Sequence, residues 1–257
     1  MNSNIALLTD FGTKDYFVGA MKGAILSINE TTNIIDITHE IPAQDVLSAS
    51  FTLRACYKDF PFKTIFVAVV DPEVGSNRKA ILVETKNFCF IAPDNGLLSF
   101  IFDEEENFCV RELTNKSFFA AEVSRTFHGR DVFARVAAHL SKGVNPSEFG
   151  AEIKNFIHLK TAEPRKISER EIEASIIHID RFGNLITNLK QTDLPESFTL
   201  RINGKIIDKL QSFFAGAKSN ELFMILGSAG FLEIAAFQDS AEKLLNARIN
   251  QKVLLVT

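Results

Sequence analysis

The chain has 257 residues, 46% of them hydrophobic, with 28 Lys and Arg against 32 Asp and Glu for a net charge of −4. That length suffices for one large domain or two moderate ones, and the near balance of interspersed charges excludes the basic footprint of a nucleic-acid binder or of a membrane-surface protein. No apolar run approaches spanning length, no signal-peptide pattern precedes Ile5, and Cys56, Cys89 and Cys109 lack metal or redox spacing; the expectation is a cytoplasmic protein with reduced thiols, no metal and no cofactor.

Ile5–Leu8 reads as a strand, Tyr16–Ile28 as an amphipathic helix, Asn33–Ile37 as a strand and Asp45–Tyr57 as a helix. Thr64–Val70 is an unbroken apolar run rich in β-branched residues, the pattern of a strand buried on both faces. This βαβαβ order implies a parallel sheet with helices on its faces and right-handed crossovers. Ala80–Glu84 and Phe88–Ile91 read as a hairpin added to that sheet, Glu104-Glu105-Glu106 as a solvated loop, and Arg130–Leu140 as a helix.

Residues 161–170 are polar, contain Pro164 and show no sustained period, which makes them the linker candidate between domains at 1–160 and 171–257. Beyond them Glu173–Asp180, Phe198–Ile202, Lys205–Ile207, Leu222–Leu226, Phe231–Ala235 and Val253–Val256 read as short strands, with one helix at Ser240–Asn246. The expected fold class is α/β: an amino-terminal parallel-sheet α/β domain followed by a small, mainly antiparallel β-barrel or sandwich domain.

Asp71 directly follows the run Thr64–Val70, so it sits at a strand's carboxyl end, where ligands bind in open α/β sheets. Arg78 follows seven residues later, and Phe127-His128-Gly129-Arg130-Asp131 supplies an imidazole further along. Taken singly these residues have plainer readings: an aspartate before proline organises turns, an arginine in a loop is surface charge, and a histidine beside glycine bonds to backbone. Asp10 closes the first strand and equally reads as a cap before Gly12.

Six motifs occur together in one order: Thr9-Asp10-Phe11-Gly12, Asp71-Pro72-x-Val74-Gly75 with Arg78, Ala92-Pro93-Asp94-Asn95-Gly96, Phe127 to Asp131, Asp180 to Asn188, and Gly227-Ser228-x-Gly230-x-Leu232-Glu233-Ile234-Ala235. In this the chain resembles, essentially end to end, the S-adenosyl-L-methionine hydroxide adenosyltransferases, relatives of the fluorinase and chlorinase. The resemblance implies conversion of S-adenosylmethionine and water to adenosine and L-methionine. It also implies a homotrimer whose sites lie between the amino-terminal domain of one subunit and the carboxy-terminal domain of the next. Carried onto this chain, the catalytic set is Asp71, Arg78 and His128. Substrate-binding positions are Asp10 for the ribose with Phe11 beside it, Asp180 and Ser228 for the amino-acid portion, Phe182 and Asn184 for the adenine, and Glu233 in a strand beside the adenine segment.

These residue types suit the reaction. Sulfonium is a good leaving group, so displacement at the ribose 5′ carbon needs a nucleophile held in line. Water, with a pKa of about 15.7, needs positive charge and a proton acceptor. Arg78 is permanently cationic and would orient it, Asp71 would fix the guanidinium and accept the proton, and His128 would polarise the water or relay the proton. The halogenases carry tyrosine at the position of Asp71 and tyrosine-serine at His128-Gly129. Only 15 residues separate Arg78 from Asp94, which leaves no room for the fluorinase's inserted loop. Glu73 stands where the motif has glycine, and Ala229 where the fluorinase has arginine. Two alternatives stay open: a halide-using adenosyltransferase, and a non-catalytic sensor of S-adenosylmethionine or adenosine.

Overall fold

In the computed structural model, which describes residues 4–160 and 162–257, the apolar runs of the amino-terminal half line up as one six-stranded sheet. Its elements in chain order are β1 (Asn4–Thr9), α1 (Phe17–Leu26), β2 (Asn33–Thr38), α2 (Val46–Cys56), β3 (Ile65–Val69), β4 (Ala80–Thr85), β5 (Cys89–Pro93), α3 (Ser99–Glu104), β6 (Phe108–Glu112) and α4 (Ala134–Ser141). The strand order is β2-β1-β3-β5-β4-β6. β1 pairs in parallel with β2 and β3, and β3 in parallel with β5. The hairpin strand β4 runs antiparallel between β5 and β6, so the sheet is mixed rather than wholly parallel.

Period-two alternation divides β3 between two cores. Phe66, Ala68 and Val70 join Ala49 and Leu53 of α2 and Phe100 and Ile101 of α3 on one face; Ile65, Val67 and Val69 join Met21 and Ile25 of α1 and Val136 to Ala138 of α4 on the other. A strand covered on both faces has no polar side to show, which is why its sequence is continuously apolar. α2 begins where Asp45 caps it, its Oδ1 accepting from the Ser48 N–H at 2.9 Å. The chain leaves β1 toward β2 on one side and returns through α2 to β3 on the other. The carboxyl ends of β1 and β3 therefore form a topological switch point, the crevice where such sheets take ligands.

The chain divides into two compact units, Met1–Lys160 and Thr161–Thr257. The second comprises β7 (Arg165–Ser168), β8 (Glu171–Ile179), β9 (Leu185–Lys190), β10 (Thr199–Ile202), β11 (Lys205–Ile207), β12 (Leu210–Gln211), β13 (Leu222–Leu226), β14 (Phe231–Ala236), α5 (Ala241–Leu245) and β15 (Lys252–Val256). The order is β11-β10-β15-β8-β9-β14-β13-β12, with β7 added against β8. Every pairing is antiparallel except the short β12 with β13. Its core gathers Ile176, Leu185, Leu200, Leu232, Ile234 and Leu255.

Two expectations change. Part of the segment read as a linker is strand β7, whose residues are all exposed; an edge strand without a buried face shows no period to read. Glu104 is no solvated loop residue either. It ends α3 and accepts from Arg54 Nε, Lys58 Nζ and the Tyr57 hydroxyl, while Glu105 accepts from the same hydroxyl. Among the described residues no helix is long and apolar enough to cross a membrane.

Candidate active site

The loop after β3 folds back on itself so that Arg78 Nη2 donates to Asp71 Oδ2 while Nη1 donates to the Lys79 carbonyl. Both side chains are almost fully enclosed, at 3% and 6% exposure, and the guanidinium carbon lies 5.7 Å from the centre of the Phe133 ring. Asp71 Oδ1 and Arg78 Nε are buried without a hydrogen-bond partner. Such atoms are costly unless a partner reaches them. Burial pushes the Asp71 carboxyl above its ordinary value, opposed by Arg78; burial likewise pulls Arg78 below its own, opposed chiefly by Asp71. A guanidinium stays protonated through such a shift, so the pair is ionic, with a carboxylate more basic than a surface aspartate.

The turn that makes this possible has its positive φ at Gly75, φ +83°. Glu73, which replaces the motif's glycine, is not among the residues with positive φ, so its side chain is accommodated without strain. At Gly75 a Cβ would overlap the Arg125 carbonyl oxygen. Only glycine allows the two backbones to meet there. Asp94, of the Ala92–Gly96 motif, is buried and accepts from the Ile157 N–H at 2.8 Å, while Asn95 Nδ2 donates to the Val70 carbonyl at 2.8 Å. That motif therefore pins the end of β3.

His128 stands immediately before a π-helical turn, Gly129–Phe133, which runs into α4. π-helical turns are rare and concentrate at functional sites. The imidazole is half-buried, and burial followed by Arg78 lowers its pKa, with Asp71 and Asp131 pulling the other way. Asp10 directly follows β1, and its Oδ2 accepts from the Gln44 N–H at 2.8 Å. Phe11 packs with Phe17 and Phe127, ring centroids 5.8 and 5.9 Å away. Asp10, Phe11, Gln44, Asp71, Phe127 and His128 line one cleft of about 400 Å³ at the switch point. Beneath it Thr9 Oγ1 lies 2.8 Å from His39 Nδ1 and accepts from the Phe11 N–H. His39 Nε2 lies 3.1 Å from Asp36 Oδ1. His39 is thus a buried support for the Asp10 turn.

In the second unit Asp180 Oδ1 accepts from the N–H groups of Phe182 and Asn184 at 2.8 and 2.9 Å, and Oδ2 from Asn184 Nδ2 at 2.8 Å. This self-capped turn joins β8 to β9. It holds Asn184 buried at 4% and leaves the Phe182 ring 76% exposed, an aromatic face free for stacking. Phe182 and Asn184 line an apolar cavity of about 540 Å³ with Phe214, Phe237, Gln238 and Asp239. Ser228, in the turn between β13 and β14, and Glu233 on β14 are not among its lining residues. Burial, followed by the Asp180 charge, pushes the Glu233 carboxyl up to about 7.

Sequence reasoning missed Gln44, Phe214 and Phe237, and gave Phe127 no role beyond its place in a motif. Gln44 contributes a backbone N–H, which leaves no trace in side-chain patterns. Phe214 belongs to the exposed pair Phe213-Phe214, and exposed aromatics in a polar setting were the available signal.

The amino-terminal unit matches the family model described as the SAM hydroxide adenosyltransferase N-terminal domain over residues 5–150, and the second unit matches the corresponding C-terminal domain over residues 174–254. An "(R)-S-adenosyl-L-methionine hydrolase" of Methanocaldococcus jannaschii is 37% identical over 258 residues, covering 94% of this chain and 91% of that protein. A protein of the same name from Thermus thermophilus is 30% identical over 98% of this chain and 99% of its own length. A "Fluorinase" of an Actinoplanes species is 28% identical over 76% and 74%. Among solved structures, an uncharacterized conserved protein from Thermotoga maritima superposes with a TM-score of 0.91 at 35% identity, covering 98% of this chain and 100% of that one. The chain belongs to the SAM hydroxide adenosyltransferase family.

Proposed function

We propose that this protein hydrolyses (R)-S-adenosyl-L-methionine to adenosine and L-methionine by attack of water on the ribose 5′ carbon. The observation that carries the reading is the enclosed Asp71–Arg78 ion pair, whose carboxylate lines the same cleft as His128. The (R) configuration at sulfur comes from the names of the two hydrolase relatives.

In this mechanism water forms its bond to C5′ as the carbon–sulfur bond breaks, and methionine leaves as a neutral thioether. Arg78 holds Asp71 and stabilises hydroxide character on the nucleophile. Asp71 orients the water, and the displaced proton passes to Asp71 or to His128. The lowered His128 pKa keeps the imidazole neutral, and so able to accept, at neutral pH. Asp10 takes the ribose hydroxyls with Phe11 alongside. Phe182 stacks on the adenine while Asn184 bonds its edge, with Glu233 on the strand beside that segment, and Asp180 and Ser228 take the amino-acid portion.

Incubation with each sulfonium epimer, in halide-free buffer containing chelator, should yield adenosine and methionine in equal amounts from the (R) form. Loss of turnover in chelator, restored by a divalent ion, would show that the organic groups named above are not sufficient. The fluorinase likeness supports a second reading, a halide-using transferase, for which added chloride or fluoride must yield a 5′-halo-adenosine. Binding without turnover of either epimer would leave a sensor.

The resemblance also supports a cytoplasmic homotrimer with sites shared between subunits. Mixing Asp71→Ala with Asn184→Ala chains should then restore part of the activity that each lacks. No recovery in verified mixed trimers would assign each site to a single subunit.

A further inference from the structure

Asp131 is 2% exposed, and its hydrogen bonds run to the residues on either side of the cleft-lining segment Thr126–Gly129. Oδ1 accepts from Arg130 Nε at 2.6 Å; Oδ2 accepts from Arg130 Nη2 at 3.1 Å and from the Ser124 backbone N–H at 2.8 Å. Neighbouring side chains of an α-helix do not face each other. This bidentate pair between adjacent residues forms in the π-helical turn, and the Arg130 guanidinium then lies 5.0 Å from the centre of the Phe127 ring, a wall of the cleft. The Asp131 backbone adds a carbonyl that accepts from the Ala120 N–H at 2.8 Å and an N–H that donates to the Phe127 carbonyl at 3.2 Å.

From Phe119 to Phe127 the chain has no helix or strand of its own. Asp131 supplies anchors at both Ala120 and Ser124 of this segment. One residue beyond Ser124, the Arg125 carbonyl packs on Gly75 so closely that no side chain fits there. Gly75 belongs to the loop that carries Asp71 and Arg78. A continuous line of contacts therefore runs from the turn behind His128, through the Asp131 carboxylate and the Ser124–Arg125 strap, to the loop that carries the ion pair. We propose that Asp131, clamped by Arg130, is a positioning residue for the hydrolysis, setting His128 against the Asp71–Arg78 pair; this inference rests on the hydrolase reading above.

The same carboxylate also acts on His128 through its charge. The groups that bear on this imidazole are Arg78 and Asp71 from the β3 loop and Asp131 from its own turn, with Asp10 lining the same cleft. Arg78 and burial favour the neutral ring, and Asp131 and Asp71 favour the protonated one. Neutralising Asp131 therefore lowers the His128 pKa. Removing the Arg130 cation strengthens the field of Asp131 and raises it.

Two substitutions test the proposal: Asp131→Asn, close in size, and Arg130→Gln, at a side chain 40% exposed and so a milder change to the fold. Each should lower kcat by about 10² with KM changed less than about threefold, the signature of a displaced reacting group. NMR of the His128 ring, and the acidic limb of the kcat/KM profile, should move to lower pH in Asp131→Asn and to higher pH in Arg130→Gln. Asp131→Glu should return the titration toward the wild-type position. A fall in melting temperature and active fraction, with kcat per folded molecule and His128 titration both unmoved, would overturn the proposal and leave Asp131 a fold residue. If the wild-type protein makes no adenosine, the hydrolase reading fails by itself, while the opposed titration shifts still report whether Asp131 and Arg130 govern His128.

Discussion

Arg78→Ala should lower kcat by about 10² to 10³ while substrate binding changes little. Losing one preorganised donor at a developing charge costs that much, and the substrate's own sulfonium gains nothing from a nearby guanidinium in the ground state. The same substitution should destabilise the fold. Asp71, 6% exposed, would be left ionised and unpaired, and breaking a buried pair costs about 3–5 kcal/mol. The pH dependence has a definite sign. Without Arg78 the Asp71 carboxyl has a folded pKa raised further above its unfolded value, so the ionised form bears the penalty. The deficit is therefore largest at neutral pH and shrinks as pH falls and Asp71 takes up its proton. Arg78→Lys should recover little of either loss, because the two Nη groups serve two acceptors while the plane lies over Phe133, and an ammonium has no such fork. Steady-state kinetics and urea unfolding at two pH values check this; a lysine variant of near wild-type kcat would refute the orienting role.

Gly75→Ala should produce the second large effect. Alanine at φ +83° costs more than about 1 kcal/mol through backbone strain alone. Here its Cβ also meets the Arg125 carbonyl oxygen, a backbone atom that cannot swing aside. The loop must move, and Asp71 and Arg78 move with it. A displacement on the order of 1 Å at the reacting groups lowers kcat by about 10². Gly204→Ala is the control: this glycine has φ +76° in the β10–β11 turn with nothing near its Cβ position. It should show the strain as a modest loss of melting temperature, with kcat unchanged. Equal kcat in both variants would mean that the Gly75 contact does not hold the catalytic loop.

The legible part of the fold was what burial writes into sequence. β3 is apolar throughout, and β1 from Ile5 to Leu8, because both faces are covered, and the points where those runs stop mark Asp10 and Asp71 as strand-end residues. α3 and β6 were not legible, since six and five residues are too few to show a period beside the acidic run that separates them. β9 was hidden inside a motif that drew attention to its turn. Of the site, residue identities were legible and depth was not. An arginine seven residues after an aspartate reads as surface charge, and only the tertiary structure encloses it against Phe133. The anchors of the 119–127 segment were invisible for a related reason, because the partners of the Asp131 carboxylate are a neighbouring side chain and a backbone N–H.

The two partnerless atoms of the Asp71–Arg78 pair have a consequence for descent as well as for chemistry. Exchanging a buried ion pair for well-packed apolar side chains is often neutral or stabilising by about 1–4 kcal/mol, so selection for folding alone does not preserve positions 71 and 78. Because the loss of either partner alone costs about 3–5 kcal/mol, a lineage freed from turnover would change the two positions together, toward leucine, methionine or valine, with its sheet and strand ends intact. Those two positions are therefore where a silent descendant of this protein would announce itself.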